Sequence, residues 1–190
     1  MSLVKTIGVV VYRRTPNGPL FLLLHHRGPY WNFPKGRIEA GEAGKELMTA
    51  FRELREETAI PRDAVSLRPR FRATYRYRFR GHDALGKPEL VTKLAIFYLG
   101  ELTRDAPIAV SHEHLGFAWV DADDAKVRLY YPGGRKILAA AAAYLSLPAQ
   151  QVGAVFRARF RSAARRRGSR RRSPPGHVAD SAVPRYTARV

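Results

Sequence analysis

The sequence predicts an α/β protein in which helices cover both faces of one β-sheet. Apolar, β-branched segments recur along the chain and are typical of strands. Two segments with helical periodicity alternate with them, and turns rich in proline and glycine separate the segments. Strands interleaved with helices favour a layered α/β/α arrangement, because each element has to bury an apolar side against another.

Five strands are predicted, and in chain order they are residues 4–12, 20–24, 71–79, 90–102 and 117–120. The turn at 16–19, with two prolines around Asn17 and Gly18, indicates that the first two strands form a hairpin. Aromatic residues alternate with arginine and threonine in the third strand, which is typical of a half-exposed strand. The fourth strand is more apolar and is expected to be buried.

The first helix is predicted over residues 46–58, ahead of Pro61. Its apolar residues recur at i, i+3, i+4 and i+7 and form one stripe, which consists of Leu47, Ala50, Phe51 and Leu54. The second helix is predicted over residues 137–147, which are rich in alanine and leucine, and we expect it to pack on the sheet.

Composition places limits on the class of protein. The chain has 190 residues, of which 45% are hydrophobic, and this is enough for a buried core. It has no cysteine, which excludes disulfides, thiolate zinc sites and a cysteine nucleophile. No apolar run approaches the roughly 18 residues of a membrane span, and no signal peptide is recognisable. We therefore expect a cytoplasmic protein without a membrane partner.

The positive charge is concentrated at the C-terminal end of the chain. The net charge is +18, and residues 157–190 contain eleven arginines against one acid. We predict a folded domain over residues 1–156 and an Arg-rich tail over 157–190 that is disordered from residue 162. The tail would bind RNA or another polyanion without reading sequence, serve as a localisation signal, or have no partner at all.

Three glutamates share one face of the first predicted helix. Glu53, Glu56 and Glu57 stand at i, i+3 and i+4, beside the apolar stripe rather than opposite it. They would therefore point to the rim of the core, where a cleft can form. A divalent cation such as Mg²⁺ relieves the repulsion among such carboxylates. The alternative is a solvated acidic face.

The residues around these glutamates resemble the Nudix box. That pattern is Gly, five residues, Glu, seven residues, then Arg-Glu-aliphatic-any-Glu-Glu-any-Gly-aliphatic. Here five residues separate Gly36 from Glu42, and residues 52–60 read Arg-Glu-Leu-Arg-Glu-Glu-Thr-Ala-Ile. Nine residues, 43–51, replace the usual seven, and we expect the two extra residues in the loop before the helix. Glu42 is thus the box residue whose position relative to Arg52 is left open.

The other departure is Ala59, which stands at the usual glycine position. Glycine there tolerates a left-handed backbone at the helix end, for which alanine costs roughly 1 kcal/mol.

The resemblance implies a Nudix fold, with a mixed β-sheet sandwiched between helices, and hydrolysis of phosphoric anhydride bonds. It implies Mg²⁺ as cofactor, with Mn²⁺ as an alternative ion. The implied ligands are the carbonyl of Gly36 and the carboxylates of Glu53, Glu56 and Glu57. Arg52 would orient these glutamates by salt bridges, and the glutamate that acts as general base is left unassigned.

Further segments are similar to the diadenosine tetraphosphate hydrolase branch of this family, among them 7–14, 31–36, 90–99 and 111–120. This similarity nominates Glu113 as an additional metal ligand, the alternative being a surface acid. It nominates Lys35, Lys93, Tyr75, Tyr77, Trp31 and His112 as substrate-binding residues, and His114, on the other side of Glu113, would also touch phosphate. The alternatives are an ordinary strand lysine for Lys93, core packing for the tyrosines, a core position for Trp31, and a plain loop residue for His112.

The leading function is therefore a Mg²⁺-dependent pyrophosphohydrolase that cleaves dinucleoside polyphosphates, such as diadenosine tetraphosphate, to mononucleotides. Other Nudix substrates are the near alternatives: RNA 5′ ends, nucleoside triphosphates or diphosphoinositol phosphates. A catalytically inactive Nudix fold that binds RNA is the alternative of another class, although such a module has no need of three clustered carboxylates.

Overall fold

The structure is a computed structural model that describes residues 2–82 and 85–148. The predicted tail, 157–190, lies outside the described residues. Residues Met1–Ser146 form one compact unit, which contains all the strands and helices given below. No helix among the described residues has both the length and the apolar character needed to cross a membrane.

Eight strands form within the described residues. They are β1 (Ser2–Thr15), β2 (Gly18–His26), β3 (Trp31–Asn32), β4 (Lys35–Arg37), β5 (Val65–Leu67), β6 (Ala73–His82), β7 (Pro88–Leu102) and β8 (His114–Val120). The helices are α1 (Glu46–Thr58), α2 (Ala122–Arg128) and α3 (Pro132–Leu145), with one 3₁₀ turn at Arg62–Ala64. The five predicted strands and both predicted helices are present, and α1 has the predicted bounds.

One mixed sheet holds all the strands. Its order is β3-β2-β1-β7-β5, with β4 paired to β1, β6 paired to β7 and β8 paired to β2. The pairing of β1 with β7 is parallel and runs from Ser2 opposite Val91 to Tyr12 opposite Glu101. All the other pairings are antiparallel. The sheet is therefore centred on the first and seventh strands.

Helices cover both faces of this sheet. Alternate residues of β1, including Ile7, Val9 and Val11, pack with Ala50 and Leu54 of α1. On the opposite face, Tyr75 of β6 lies against the start of α3, and α2 packs on α3 and β2. The predicted α/β/α layering with a mixed sheet is confirmed.

The short elements were not predicted. Strands β3, β4 and β5 have two or three residues each, too few to show periodicity. The start of helix α2 was recognisable from sequence, because aspartate is a preferred N-cap residue. In the structure the side chain of Asp121 accepts a hydrogen bond from the Asp124 N–H. The predicted apolar stripe of α1 was wrong at Leu47, which is 44% exposed because it lies in the first turn.

Candidate active site

The three glutamates of α1 differ in their exposure to solvent. The side chain of Glu56 is 55% exposed, whereas that of Glu53 is 12% exposed. Glu57 is buried, with 8% of the residue exposed. The helical face therefore runs from solvent into the edge of the core, as expected for carboxylates beside an apolar stripe.

Arg52 connects these carboxylates. One terminal nitrogen of its guanidinium lies 2.9 Å from Oε1 of Glu53 and 2.8 Å from Oε2 of Glu56. The other terminal nitrogen donates to the carbonyl of Arg37 at 2.9 Å, and this bond joins α1 to β4. The planar guanidinium thus fixes the directions of two of the three glutamates.

Glu42 holds Arg52 in turn. Its carboxylate accepts hydrogen bonds from Arg52 Nε at 2.9 Å and from the second terminal nitrogen at 3.0 Å. It also accepts from Thr49 Oγ1 at 2.9 Å and from the Glu39 N–H at 3.0 Å. The bonds from Arg52 lower the pKa of Glu42 to about 2. Glu42 therefore takes its place in the box despite the insertion.

The insertion itself lies outside the helix. Residues Ala43 and Gly44 form a turn before α1, which begins at Glu46, and Gly44 has a φ of +80°. The two extra residues change the loop and leave the helical spacing from Arg52 to Glu57 intact.

Gly36 brings β4 directly against Glu53. A Cβ placed on Gly36 would lie 1.9 Å from both Cδ and Oε2 of that carboxylate, well inside van der Waals contact. Only glycine fits here while Glu53 keeps its position. The backbone of β4, paired to β1 through Ile7, therefore forms one wall of the carboxylate site.

Glu57 is a buried carboxylate held by the backbone of the same strand. Its Oε2 accepts a hydrogen bond from the Lys35 N–H at 2.8 Å. Burial, reinforced by Glu53 and Glu113 and opposed by Lys35, raises the pKa of Glu57 to about 7. Burial also raises the pKa of Glu53, against the effect of Arg52. Two carboxylates at this site are therefore poorly solvated, and a cation would stabilise their charged forms.

Three basic side chains lie close together, and one of them, Lys35, acts on the buried Glu57. Lys93 of β7 is half-buried, and burial, followed by repulsion from Lys35 and Arg37, lowers its pKa to about 8. The two lysines and Arg37 are therefore close enough to repel one another. Such a cluster of cations, with one member close to Glu57, suits a ligand that carries several negative charges.

The buried His114 adjoins Glu57, and the half-buried His26 lies beside His114. His114 accepts or donates a hydrogen bond with Ser111 through Nδ1 at 3.0 Å, and its Nε2 lies 3.8 Å from Oε1 of Glu57. Its ring is 4.6 Å from that of His26. The Nε2 atoms of both histidines are buried without a hydrogen-bond partner among the described residues. Burial, then Lys35, lowers the pKa of His26 to about 3, so His26 is neutral.

The prediction from sequence named His112 and His114, and it did not name His26. The side chain of His112 is exposed, and its carbonyl accepts a hydrogen bond from the Nε of Arg27 at 3.0 Å. The alternation of buried and exposed residues in β8 could have distinguished the two, because it turns His114, the first residue of the strand, inward. Glu113 is exposed, and it is close enough to Glu57 to contribute to the raised pKa.

The aromatic candidates lie at different depths. Tyr75 is half-buried, stacks on Tyr77 at 5.8 Å and on the core residue Phe97 at 6.3 Å, and packs against Gly133. Tyr77 is 42% exposed. Trp31 is half-buried and stacks on His25, with ring centroids 4.5 Å apart. The guanidinium of Arg128 also lies over Trp31, 5.0 Å from its ring centroid.

No three acidic or histidine side chains in the described ranges are already arranged to hold a metal ion. The reason is visible at Arg52, which occupies oxygens of Glu53 and Glu56. The donor set is nevertheless the one that Mg²⁺ takes, namely carboxylate and carbonyl oxygens around a glycine that leaves room for them.

Comparison with known proteins identifies the family. The model of the NUDIX domain matches residues 3–141. The chain therefore belongs to the Nudix hydrolase family, as its glutamate helix predicted.

Three relatives and solved structures show how similar this chain is to individual proteins. A Caenorhabditis elegans protein named bis(5′-nucleosyl)-tetraphosphatase [asymmetrical] is 32% identical over 124 residues, which are 64% of this chain and 82% of the relative. A crystal structure of a C. elegans Ap4A hydrolase binary complex has a TM-score of 0.63 at 30% identity, covering 75% of this chain and 98% of that one. A Myxococcus xanthus octanoyltransferase is 32% identical over 142 residues, or 73% of this chain and only 37% of that protein.

Proposed function

We propose that this chain is a Mg²⁺-dependent pyrophosphohydrolase that cleaves dinucleoside polyphosphates, such as diadenosine tetraphosphate, into mononucleotides. The observation that carries the proposal is the Arg52-ordered carboxylate cluster of α1, with the cation of Lys35 close to the buried Glu57. The similarity to an asymmetrical tetraphosphatase over 82% of that protein's length supports the choice of substrate.

The residues that would hold the metal are Glu53, Glu56 and Glu57 together with the Gly36 carbonyl, and Glu113 is a further candidate. The raised pKa values of Glu53 and Glu57 fit this role, since a cation compensates for the lost solvation of a buried carboxylate. Bound Mg²⁺ neutralises phosphate oxygens and lowers the pKa of water. Mn²⁺ has a similar preference for oxygen ligands.

The chain's own groups would order the reaction. The ammonium groups of Lys35 and Lys93 bind phosphate oxygens and stabilise the charge that develops during transfer. A water oxygen bonds to one phosphorus as the bridging P–O bond breaks, and the departing phosphate keeps the bonding electrons. The water's proton passes to a carboxylate, for which Glu53, Glu56 and Glu57 are the candidates.

The remaining candidates would recognise the rest of the substrate. The exposed ring of Tyr77 offers a flat surface for adenine, whereas Tyr75 is largely occupied by core packing. Trp31 would contact the substrate at the edge of the site, and its ring already stacks on His25. His112 would reach phosphate from the loop before β8.

A substrate panel tests this function. The full chain is incubated with Mg²⁺ and diadenosine tetraphosphate, nucleoside triphosphates, triphosphorylated RNA or a diphosphoinositol phosphate, and products are separated by chromatography. We expect the highest kcat/KM with diadenosine tetraphosphate, and adenosine tri- and monophosphate as products. A higher kcat/KM with any other member would reassign the substrate, and no Mg²⁺-dependent hydrolysis of any member would contradict the enzymatic function.

A further inference from the structure

We propose that the α1 side of β6 and of the strands next to it forms a binding surface for a single-stranded nucleic acid. The alternation of β6 places Arg76, Arg78 and Arg80 on one face of the sheet, and all three residues are exposed. None of the three forms an ion pair or a side-chain hydrogen bond within the described part of the chain.

This surface lies on the other side of the sheet from two of the substrate-binding candidates, Tyr77 and Lys93. In the β6–β7 register, Arg76 lies beside Leu94, Arg78 beside Thr92 and Arg80 beside Leu90. Leu94 packs on the cluster beneath α1, so these residues face the α1 side of the sheet. The residues between them, including Tyr77 and its neighbour Lys93, face the opposite side.

The three arginines form a straight row. Alternate residues of a strand are roughly 6.6 Å apart, so the row spans about 13 Å with all its charges of one sign. Its partners in register on the described part of β7 are two leucines and a threonine, none of which is acidic. A nucleic-acid backbone, with its regularly spaced phosphates, matches such a row of arginines and removes the repulsion among their charges.

An apolar shelf runs alongside the row. Leu90 is 42% exposed, and Leu3 of β1, which pairs with Thr92, is 59% exposed. Unpaired bases expose flat apolar faces that can lie on such a shelf while their phosphates contact the arginines. The base faces of a duplex are stacked on one another and cannot lie on the shelf, so the shelf favours a single strand. Lys5, the next residue of β1 on this face, adds a fourth cation at its border.

Protection of a sheet edge is the competing explanation for the arginines. Among the described strands, β6 pairs with β7 alone, and charged side chains on an edge strand discourage pairing with a second molecule. That explanation predicts self-association when the charges are removed, without a specific loss of nucleic-acid binding.

The test compares two full-length triple variants that lose the same charge. The first carries Arg76→Gln, Arg78→Gln and Arg80→Gln. The control carries Arg55→Gln, Lys126→Gln and Lys136→Gln, which are exposed positions on helices. Fluorescence anisotropy measures binding of a labelled 12-nucleotide single-stranded RNA, the equivalent DNA and a duplex over a series of salt concentrations. The C-terminal arginines are present in every protein and contribute equally.

We expect the β6 variant to bind single-stranded RNA about tenfold or more weakly, with the control within about threefold of wild type. Three lost phosphate contacts should also reduce the slope of log K against log salt by about 2. A double variant, Leu3→Ser with Leu90→Ser, should weaken binding of single strands and not of the duplex. All these proteins should hydrolyse the preferred substrate of the panel at the wild-type rate, which separates this proposal from the proposed function.

Three results would overturn the proposal. The first is equal affinity and equal salt slope for the β6 variant and the control, with or without self-association of the variant by light scattering. The second is an equal loss for duplex and single strand together with no effect of the leucine substitutions. The third is a loss of binding to anionic phospholipid vesicles alone, which would assign the surface to a membrane.

Discussion

At the scale of single residues, the site depends on a chain of contacts that passes through Arg52. Thr49 and the Glu39 N–H hold Glu42, Glu42 holds Arg52, and Arg52 holds Glu53 and Glu56. Each member satisfies the charge or hydrogen-bonding capacity of the next. Loss of one member should therefore affect groups that it does not touch.

Removing the charge of Glu56 or Glu57 tests the assignment of the catalytic face. Glu56→Gln and Glu57→Gln should each lower kcat by about two orders of magnitude or more, because the amide neither binds Mg²⁺ nor accepts a proton as a carboxylate does. Circular dichroism should show an intact fold. Asp105→Asn, at an exposed position, is the control for lost charge. Near-normal Mg²⁺-dependent turnover in both glutamate variants would refute the assignment.

Glu42 should make stability depend on pH. Its pKa is about 2 in the folded chain, below its ordinary value of 4.5, because Arg52 hydrogen-bonds to the charged form. The unfolded chain therefore takes up this proton at a higher pH, and the stabilisation is lost as the pH falls from 4.5 towards 2. Urea midpoints should differ most between wild type and Glu42→Gln near pH 7. A difference that stays constant down to pH 2.5 would contradict the ion pair.

The carboxylate geometry was predictable from sequence because it depends only on helical spacing. The burial of Glu57 and the identity of its neighbours were not predictable. They depend on where β4 and the loop before β8 meet α1, and these contacts join residues 35, 57 and 114. Sequence spacing within one helix carries no information about such distant pairings.

At the scale of elements, the approach of β4 to α1 sets the shape of the site. Gly36→Ala should lower kcat/KM by at least tenfold, since the new Cβ would displace the Glu53 carboxylate or separate the two elements. The matched control is Gly116→Ala, whose Cβ would meet nothing within 4 Å. Equal kcat/KM values for the two variants would contradict the close approach.

Ala59 at the end of α1 has a strained backbone conformation, and a substitution can relieve that strain. Ala59 adopts the left-handed conformation, with φ of 60° and ψ of 3°, as its place in the box predicted. Ala59→Gly should raise the free energy of unfolding by about 0.5–1 kcal/mol, because glycine adopts this conformation without strain. Urea denaturation measures the change. Ala43→Gly, in a turn without positive φ, should give no increase, and a gain there as large as at Ala59 would refute the explanation.

The long elements were predictable and the short ones were not, for a physical reason. Helix α1 has 13 residues and shows its period more than three times over, so its bounds follow from pattern and from Pro61. A strand of two residues such as β3 has no period at all. It is a strand only because β2 pairs with it through Leu24 and His25.

At the scale of the whole molecule, the folded unit should be independent of the Arg-rich tail. Deletion of residues 157–190 should leave kcat/KM on small dinucleotides within about twofold of the full chain, because every described catalytic group lies before residue 115. Activity and melting temperature are measured on both proteins. Loss of hydrolysis of the small substrate would show that the tail belongs to the domain.

The parallel pairing of β1 with β7 has a consequence for biosynthesis. Strand β1 at the centre of the sheet leaves the ribosome before its partner β7, which begins at Pro88. At roughly 5–20 residues per second, β1 waits about 4–18 seconds for that partner. Strands β2 and β4 can pair with β1 in the meantime and α1 can pack on one of its faces, but the edge of β1 that β7 takes stays unpaired on the nascent chain. We therefore expect chaperones that recognise extended apolar segments to engage β1 until β7 has been synthesised.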